Sequence, residues 1–152
     1  AEDPDGPGPV TGRDVLEENV RQLCIHKLYK KVRNSMKIRS HGDPAVEFAE
    51  QFWNYIEKFP ERCPLDKFGQ ECSEQLMKEV GIEVSNVDAC TKSDGEKMMK
   101  HERKYLAWSP RALRINGWRY SGVQDADLVT RAICSGFVEQ PQECKDLIKP
   151  RD

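Results

Sequence analysis

The amino-acid sequence predicts a mainly α (α+β) fold, a disulfide-stapled helical bundle ending in one β-hairpin and a last helix. Three observations carry that prediction. Six cysteines, Cys24, Cys63, Cys72, Cys90, Cys134 and Cys144, stand in 152 residues with no C-x-x-C pair among them, which fits a structural disulfide framework made in an oxidising compartment. Apolar residues recur at helical steps through most of the chain. A strand signal appears only around Asn116-Gly117, the pair suited to a type I′ turn because both residues tolerate positive φ.

Residues 1–12, AEDPDGPGPVTG, carry prolines, glycines and acids with almost nothing to bury and read as an extended N-terminal arm, leaving residues 13–152 as a single disulfide-rich domain. Asp14 is the expected N-cap of a first helix on which Val15, Leu16, Val20, Leu23, Cys24 and Leu28 form the inward stripe. The stretch from Val32 to Asp43 reads as a basic loop closed by Pro44. From Pro44 to Phe59 the residues Val46, Phe48, Ala49, Phe52, Trp53, Ile56 and Phe59 trace the core helix, with Trp53 assigned to the core and Pro60 breaking the helix.

A third helix spans Phe68 to Val80 and stops at Gly81 as its C-terminal cap. Ser85 caps a short turn through Cys90, and Ser93 or Asp94 starts a separate helix with a solvated basic face of Lys97, Lys100, Arg103 and Lys104. Strands are expected at Leu113–Ile115 and Trp118–Ser121, and none before residue 108. Asp125 caps a last helix carrying Leu128, Val129, Ala132, Ile133 and Phe137 and ended by Gly136, after which Pro141 and Cys144 fold the tail back.

Lys and Arg number 24 against 26 Asp and Glu, a net charge of −2, so no global field recruits nucleic acid. The longest apolar run is far short of the roughly 20 residues a spanning helix needs, so no membrane span is expected in this sequence. A start at Ala1 with no charged-then-apolar leader leads to the expectation of a mature lumenal or exported chain after removal of a targeting peptide. No Asn-x-Ser/Thr sequon occurs, so N-glycosylation is not expected, and an organelle lumen such as the thylakoid stands beside the secretory or vacuolar one.

Several stretches in order resemble the central lumenal region of plant vacuolar sorting receptors: GRDVLEENVRQLC, then FWNYIEKFPERCPLDKFGQECSEQLMKEVGIEVSNVDAC, then INGWRYSG followed by LVTRAICSGF and a final cysteine. The resemblance spans roughly residues 12 to 144. It implies a thioredoxin-like, helix-inserted module. The most specific pieces are the hairpin beside AICSGF and the spacing of Cys63, Cys72 and Cys90. A more distant likeness is to the interferon-inducible lysosomal thiol reductases, but where those carry C-x-x-C this chain has Leu23-Cys24-Ile25-His26. The protease-associated domain, epidermal-growth-factor-like repeats and membrane span of the receptors are not in this sequence, so the expectation is not a complete receptor. Pro110 stands six residues before Asn116, where the thioredoxin pattern places its cis-proline five before. The sheet is expected to be truncated to a hairpin, whose edges some other chain would cover.

The expected pairing is Cys24 with Cys63, Cys72 with Cys90 and Cys134 with Cys144, each joining ends of elements that adjoin in the expected helical hairpins. Loops of these lengths would each contribute about 3 to 4 kcal/mol on a chain-entropy view. A dithiol enzyme would need a paired, accessible thiolate. Zinc would need convergent soft ligands that His26, His41 and Cys24 do not supply by spacing, so no metal and no cofactor is expected. Cys134-x9-Cys144 has the spacing of twin C-x9-C intermembrane-space proteins, but the other pair lacks it and Pro141 is expected to break the second helix.

Glu47, Glu50, Glu57 and Glu61 fall on the polar side of the core helix and read as solvated rather than catalytic. The candidate partner-binding residues are the hairpin's Trp108, Trp118, Arg119 and Tyr120, and the basic loop's Lys30, Lys31, Arg33, Lys37 and Arg39. The sequence therefore predicts a redox-inert, non-catalytic protein-interaction module, a lumenal accessory subunit of a multi-subunit assembly, with protein partners and no nucleic acid. The alternatives are a cargo-binding segment of a vacuolar sorting receptor-like protein and a thiol oxidoreductase using Cys24.

Overall fold

A computed structural model describes residues 8–32, 47–105 and 107–148. The elements run α1 (Gly12–Tyr29), β1 (Lys31–Val32), β2 (Glu47–Phe48), α2 (Glu50–Arg62), α3 (Gln70–Glu79), α4 (Val84–Glu102), β3 (Arg114–Ile115), β4 (Trp118–Arg119), α5 (Ala126–Ser135) and α6 (Gln142–Leu147). Contacts divide the chain into two compact units, Ala1–Lys31 with Ala49–Tyr105, and Val32–Phe48 with Leu106–Asp152. The mainly helical, disulfide-linked class predicted from sequence is the one found.

In the first unit α1 packs on α2, α2 on α3, α3 on α4 and α4 back on α1, so the four helices close a ring around one core. Cys24, Ile25, Tyr55, Leu76, Met77, Ile82, Val87 and Cys90 fill it. The helix α1 starts one turn earlier than expected: Thr11 is its N-cap, and Asp14 completes a capping box instead of capping. The Asp14 carboxylate accepts from the Thr11 N–H at 2.8 Å, and the Thr11 hydroxyl accepts from the Asp14 N–H at 3.2 Å. That bonding holds the Asp14 carboxyl below its ordinary range.

The inward stripe of α1 is also corrected. Glu18, Arg21, Cys24 and Ile25 are the buried residues, while Val15, Leu16 and Leu28 are exposed. In α2 the buried side chain is Tyr55; Trp53 is 59% exposed rather than core, and the helix runs through Pro60 to Arg62. Pro60 removes one intrahelical donor, yet the Cys63 N–H still reaches the Phe59 carbonyl at 2.8 Å, so the helix finishes its last turn.

The helix α3 ends as predicted at Gly81, whose φ of 77° is the left-handed value a Schellman turn requires. The Ile82 N–H donates to the Met77 carbonyl at 2.8 Å and the Gly81 N–H to the Lys78 carbonyl at 3.3 Å, and the Ile82 side chain is buried. The expected turn at Ser85 and restart at Ser93 or Asp94 are one continuous helix, α4. Thr91 and Ser93 donate back to the carbonyls of Asp88 and Cys90, so neither hydroxyl is a cap.

Two of the expected disulfide pairings are overturned: Cys24 bonds Cys90 and Cys63 bonds Cys72, while Cys134 bonds Cys144 as expected. The ring explains the exchange. Where α1 lies along α4, Gly95 lets the two backbones approach, since a Cβ there would stand 2.8 Å from Val20 Cγ1. Cys24 then faces Cys90, and Cys63 is left to close the α2–α3 turn with Cys72.

In the second unit β3 and β4 form the predicted hairpin, pairing Arg114 with Arg119 and Ile115 with Trp118. Asn116 at φ 52° and Gly117 at φ 82° make the turn. Asp125 caps α5, accepting from the N–H groups of Asp127 and Leu128 at 3.0 and 3.1 Å. Pro141 does not break a second helix; it is the N-cap of α6, which Cys134–Cys144 fastens to α5. The pair β1 and β2 was not foreseen, because two-residue strands are too short to show alternation. No cis peptide bond occurs among the described residues, at Pro110 or elsewhere.

Candidate functional site

The hairpin carries the most chemically distinctive surface. In an antiparallel pair, successive side chains alternate faces, so Arg114 and Arg119, directly opposed, project together while Ile115 and Trp118 project on the other side. Both guanidiniums stack on Trp108, the Arg119 carbon 4.6 Å and the Arg114 carbon 5.2 Å from the ring centroid, within cation–π range. Beside them lies an open trough of about 480 Å³ lined by Trp108, Arg111, Arg119, Tyr120, Ser121, Gly122 and Gln124.

Local bonds hold its walls. The Tyr120 hydroxyl donates to the Val123 carbonyl at 2.6 Å, the Gln124 amide donates to the Arg111 carbonyl, and Arg114 Nη1 donates to the Gly117 carbonyl at 3.2 Å. Of the four hairpin residues singled out from sequence, the structure brings Trp108, Arg119 and Tyr120 together and sets Trp118, 58% exposed, on the opposite face. Arg111 and Arg114 were missed. The alternation about Asn116-Gly117 was the signal that could have placed Arg114 opposite Arg119.

Of the expected basic loop, Lys30 and Lys31 are exposed at the end of α1 and in β1, while Arg33, Lys37 and Arg39 lie outside the described residues, as do positions 1–7 of the arm. Glu47, Glu50, Glu57 and Glu61 are exposed. Among the described residues no group of His, Cys, Asp and Glu could hold a metal ion.

A second constellation, unforeseen from sequence, lies inside the first unit. Glu18 accepts from Arg21 at 2.7 Å, from the Tyr55 hydroxyl at 2.7 Å, from Ser73 Oγ at 2.5 Å and from Gln22 at 3.1 Å. Burial, and then the Glu18 charge, push the Tyr55 phenol well above its ordinary value. Every buried side-chain polar atom described has a partner. A carboxylate this closed off and this fully bonded specifies how α1, α2 and α3 meet; it has no room for a substrate. A cleft of about 780 Å³ along α1 and α4 has an apolar floor of Leu16, Val20 and Met99. Its rim charges are largely paired internally, Arg13 with Glu17 at 2.9 Å and Lys100 with Glu96 at 2.7 Å.

All six cysteines are bridged and none is free. Cys24, Cys63, Cys90, Cys134 and Cys144 are buried, and Cys72 is half-buried.

Comparison with known proteins gives a consistent result. The profile described as the vacuolar sorting receptor thioredoxin-like domain matches residues 1–134. Vacuolar-sorting receptor 1 of Pisum sativum is 30% identical over 142 residues, 84% of this chain and 20% of that protein. Vacuolar-sorting receptor 5 of Arabidopsis thaliana is 27% identical over 145 residues, covering 86% of this chain and 21% of the relative. Vacuolar-sorting receptor 3 of the same plant is 28% identical over 149 residues, covering 88% and 22%. The chain thus spans about a fifth of the length of the curated relatives it matches.

Proposed function

Because the chain belongs to the vacuolar sorting receptor thioredoxin-like domain family, we propose that it is a redox-inert, non-catalytic module that works by binding protein, as a lumenal accessory subunit of a larger assembly. The observation that carries this reading is the state of sulfur. Six cysteines in three bridges, with no C-x-x-C, leave no thiolate to attack a substrate. The relatives are named as sorting receptors, which supports recognition rather than chemistry as the occupation. The hairpin face around Trp108 and Arg119, the acidic arm at residues 1–12 and the basic stretch from Lys30 are the contact surfaces in this reading, and residues 13–152 act as one domain. The compartment it requires is an oxidising secretory or vacuolar lumen, since three bridges would not persist in a reducing one.

The runner-up is a cargo-binding segment that captures sorting signals, favoured by the names of the relatives. A thiol titration of the denatured, unreduced chain together with an insulin-reduction assay tests the main reading: no titratable thiol and no turnover are expected. Two free thiols with reductase turnover would sink it. Sizing the native particle separates the two binding readings, a stable larger complex supporting the subunit and a free chain that takes up sorting-signal peptides supporting the cargo segment.

A further inference from the structure

We propose that the trough beside the hairpin is a carboxylate-recognition site, and that it takes an Asp- or Glu-bearing segment of a protein partner between Arg111 and Arg119 against the Trp108 ring. The inference deepens the protein-binding reading and rests on it. Its first support is an unbalanced charge. Arg114 and Arg119 stand at directly opposed cross-strand positions, where like charges destabilise a hairpin, and Arg111 lines the same trough as Arg119. Among the described residues no carboxylate pairs with any of the three.

The second support is preorganisation. Stacking on Trp108 at 4.6 and 5.2 Å orients two guanidinium groups. A stacked guanidinium keeps its in-plane N–H groups available, and that planar fork matches a carboxylate in two parallel hydrogen bonds. Holding the fork in place before the ligand arrives removes ordering cost from binding. The Tyr120 hydroxyl is already committed to Val123, and the Gln124 amide to Arg111, so the charged groups left to recognise a ligand are the cations. At about 480 Å³ the open trough has room for one or two side chains of an extended segment.

The test is fluorescence anisotropy on the full chain with a labelled peptide carrying adjacent Asp and Glu residues, its Asn and Gln counterpart, and inorganic phosphate as a competitor. Saturable binding of the acidic peptide is expected, weakening as salt rises. The amide counterpart, Arg111→Gln and Arg119→Gln should each lose about tenfold or more in affinity, the scale of a charge-assisted pair. Arg13→Gln, in the other unit, should leave affinity unchanged. Displacement of the Trp108 indole N–H resonance on titration reports the same event without any substitution. Equal binding of the amide peptide, an Arg119→Gln chain that binds normally, a flat titration, or phosphate displacing the peptide at matched concentration would each overturn the assignment. Free thiols in the titration described above would defeat the inert-module reading and leave these peptide results standing, so the two failures are distinguishable.

Discussion

Glu18 is a charged residue at 3% exposure in the middle of a helix, a placement that survives only because four donors surround it. Removing one donor leaves a buried acceptor short of a partner. Tyr55→Phe should therefore cost about 1–3 kcal/mol, and Arg21→Ala, which strips the counter-charge, about 3–5 kcal/mol, both read from urea unfolding midpoints. The raised Tyr55 phenol adds a pH signature. A phenol whose folded value lies above the ordinary 10.0 gives stability that is whole below that value and lost as pH climbs past it. Tyr55→Phe should flatten the alkaline limb of the stability curve. This network was invisible in the sequence, because Glu18 and Arg21 look like any i,i+3 pair on a solvated face until Tyr55 and Ser73, both distant along the chain, come to meet them. The strand position of Arg119, in contrast, was legible, since a tight turn places its flanking residues by local geometry alone.

Helix ends were read well where a side chain or a glycine closes them locally. Asp125 caps α5 and Gly81 terminates α3 as the sequence predicts. They were read badly where a hydroxyl or acid has a competing partner. Ser93 bonds back to Cys90, and Asp94, also expected to start a helix, is held by Lys27 of α1, so α4 continues through both. The packing of α1 on α4 supports two predictions. Gly95→Val should cost about 1–3 kcal/mol by overpacking against Val20, whose branched side chain has few rotamers to retreat to, and Val20→Ala in the same chain should recover part of the loss. The Cys24–Cys90 bridge, spanning 66 residues, should matter most of the three: converting both cysteines to Ser is expected to cost about 4 kcal/mol, against about 2.5 kcal/mol for Cys63–Cys72, which spans 9. Thermal unfolding of each double variant checks the order. Equal losses would show that the loop closed in the unfolded chain is not what the bridges stabilise.

Acid sensitivity belongs to the four-helix unit as a body. Asp14, Glu79, Asp94 and Glu96 all have carboxyls held below their ordinary values: Asp14 by Thr11, Glu79 by Lys58 and Arg62, Asp94 by Lys27, and Glu96 by Lys100. For each, the folded value lies below the unfolded one, so its stabilisation is complete above the ordinary carboxyl range of 3.8 to 4.5 and disappears as pH falls through the folded values. Urea midpoints measured between about pH 6 and pH 2 should drop on the acid side, less steeply in high salt, because these groups are exposed and screened. A flat acid limb would contradict that assignment. The same division between near and far runs through the molecule. Helical class, the Asn116-Gly117 turn, the caps at Asp125 and Gly81 and the bonding of all six cysteines into disulfides were readable because each is signalled by composition, propensities or spacings in the sequence itself. Which face of α1 turns inward, that Cys24 finds Cys90 and that Glu18 is buried were settled by packing. Those outcomes rest on contacts between segments far apart along the chain, and their energies exist only once the helices have closed their ring.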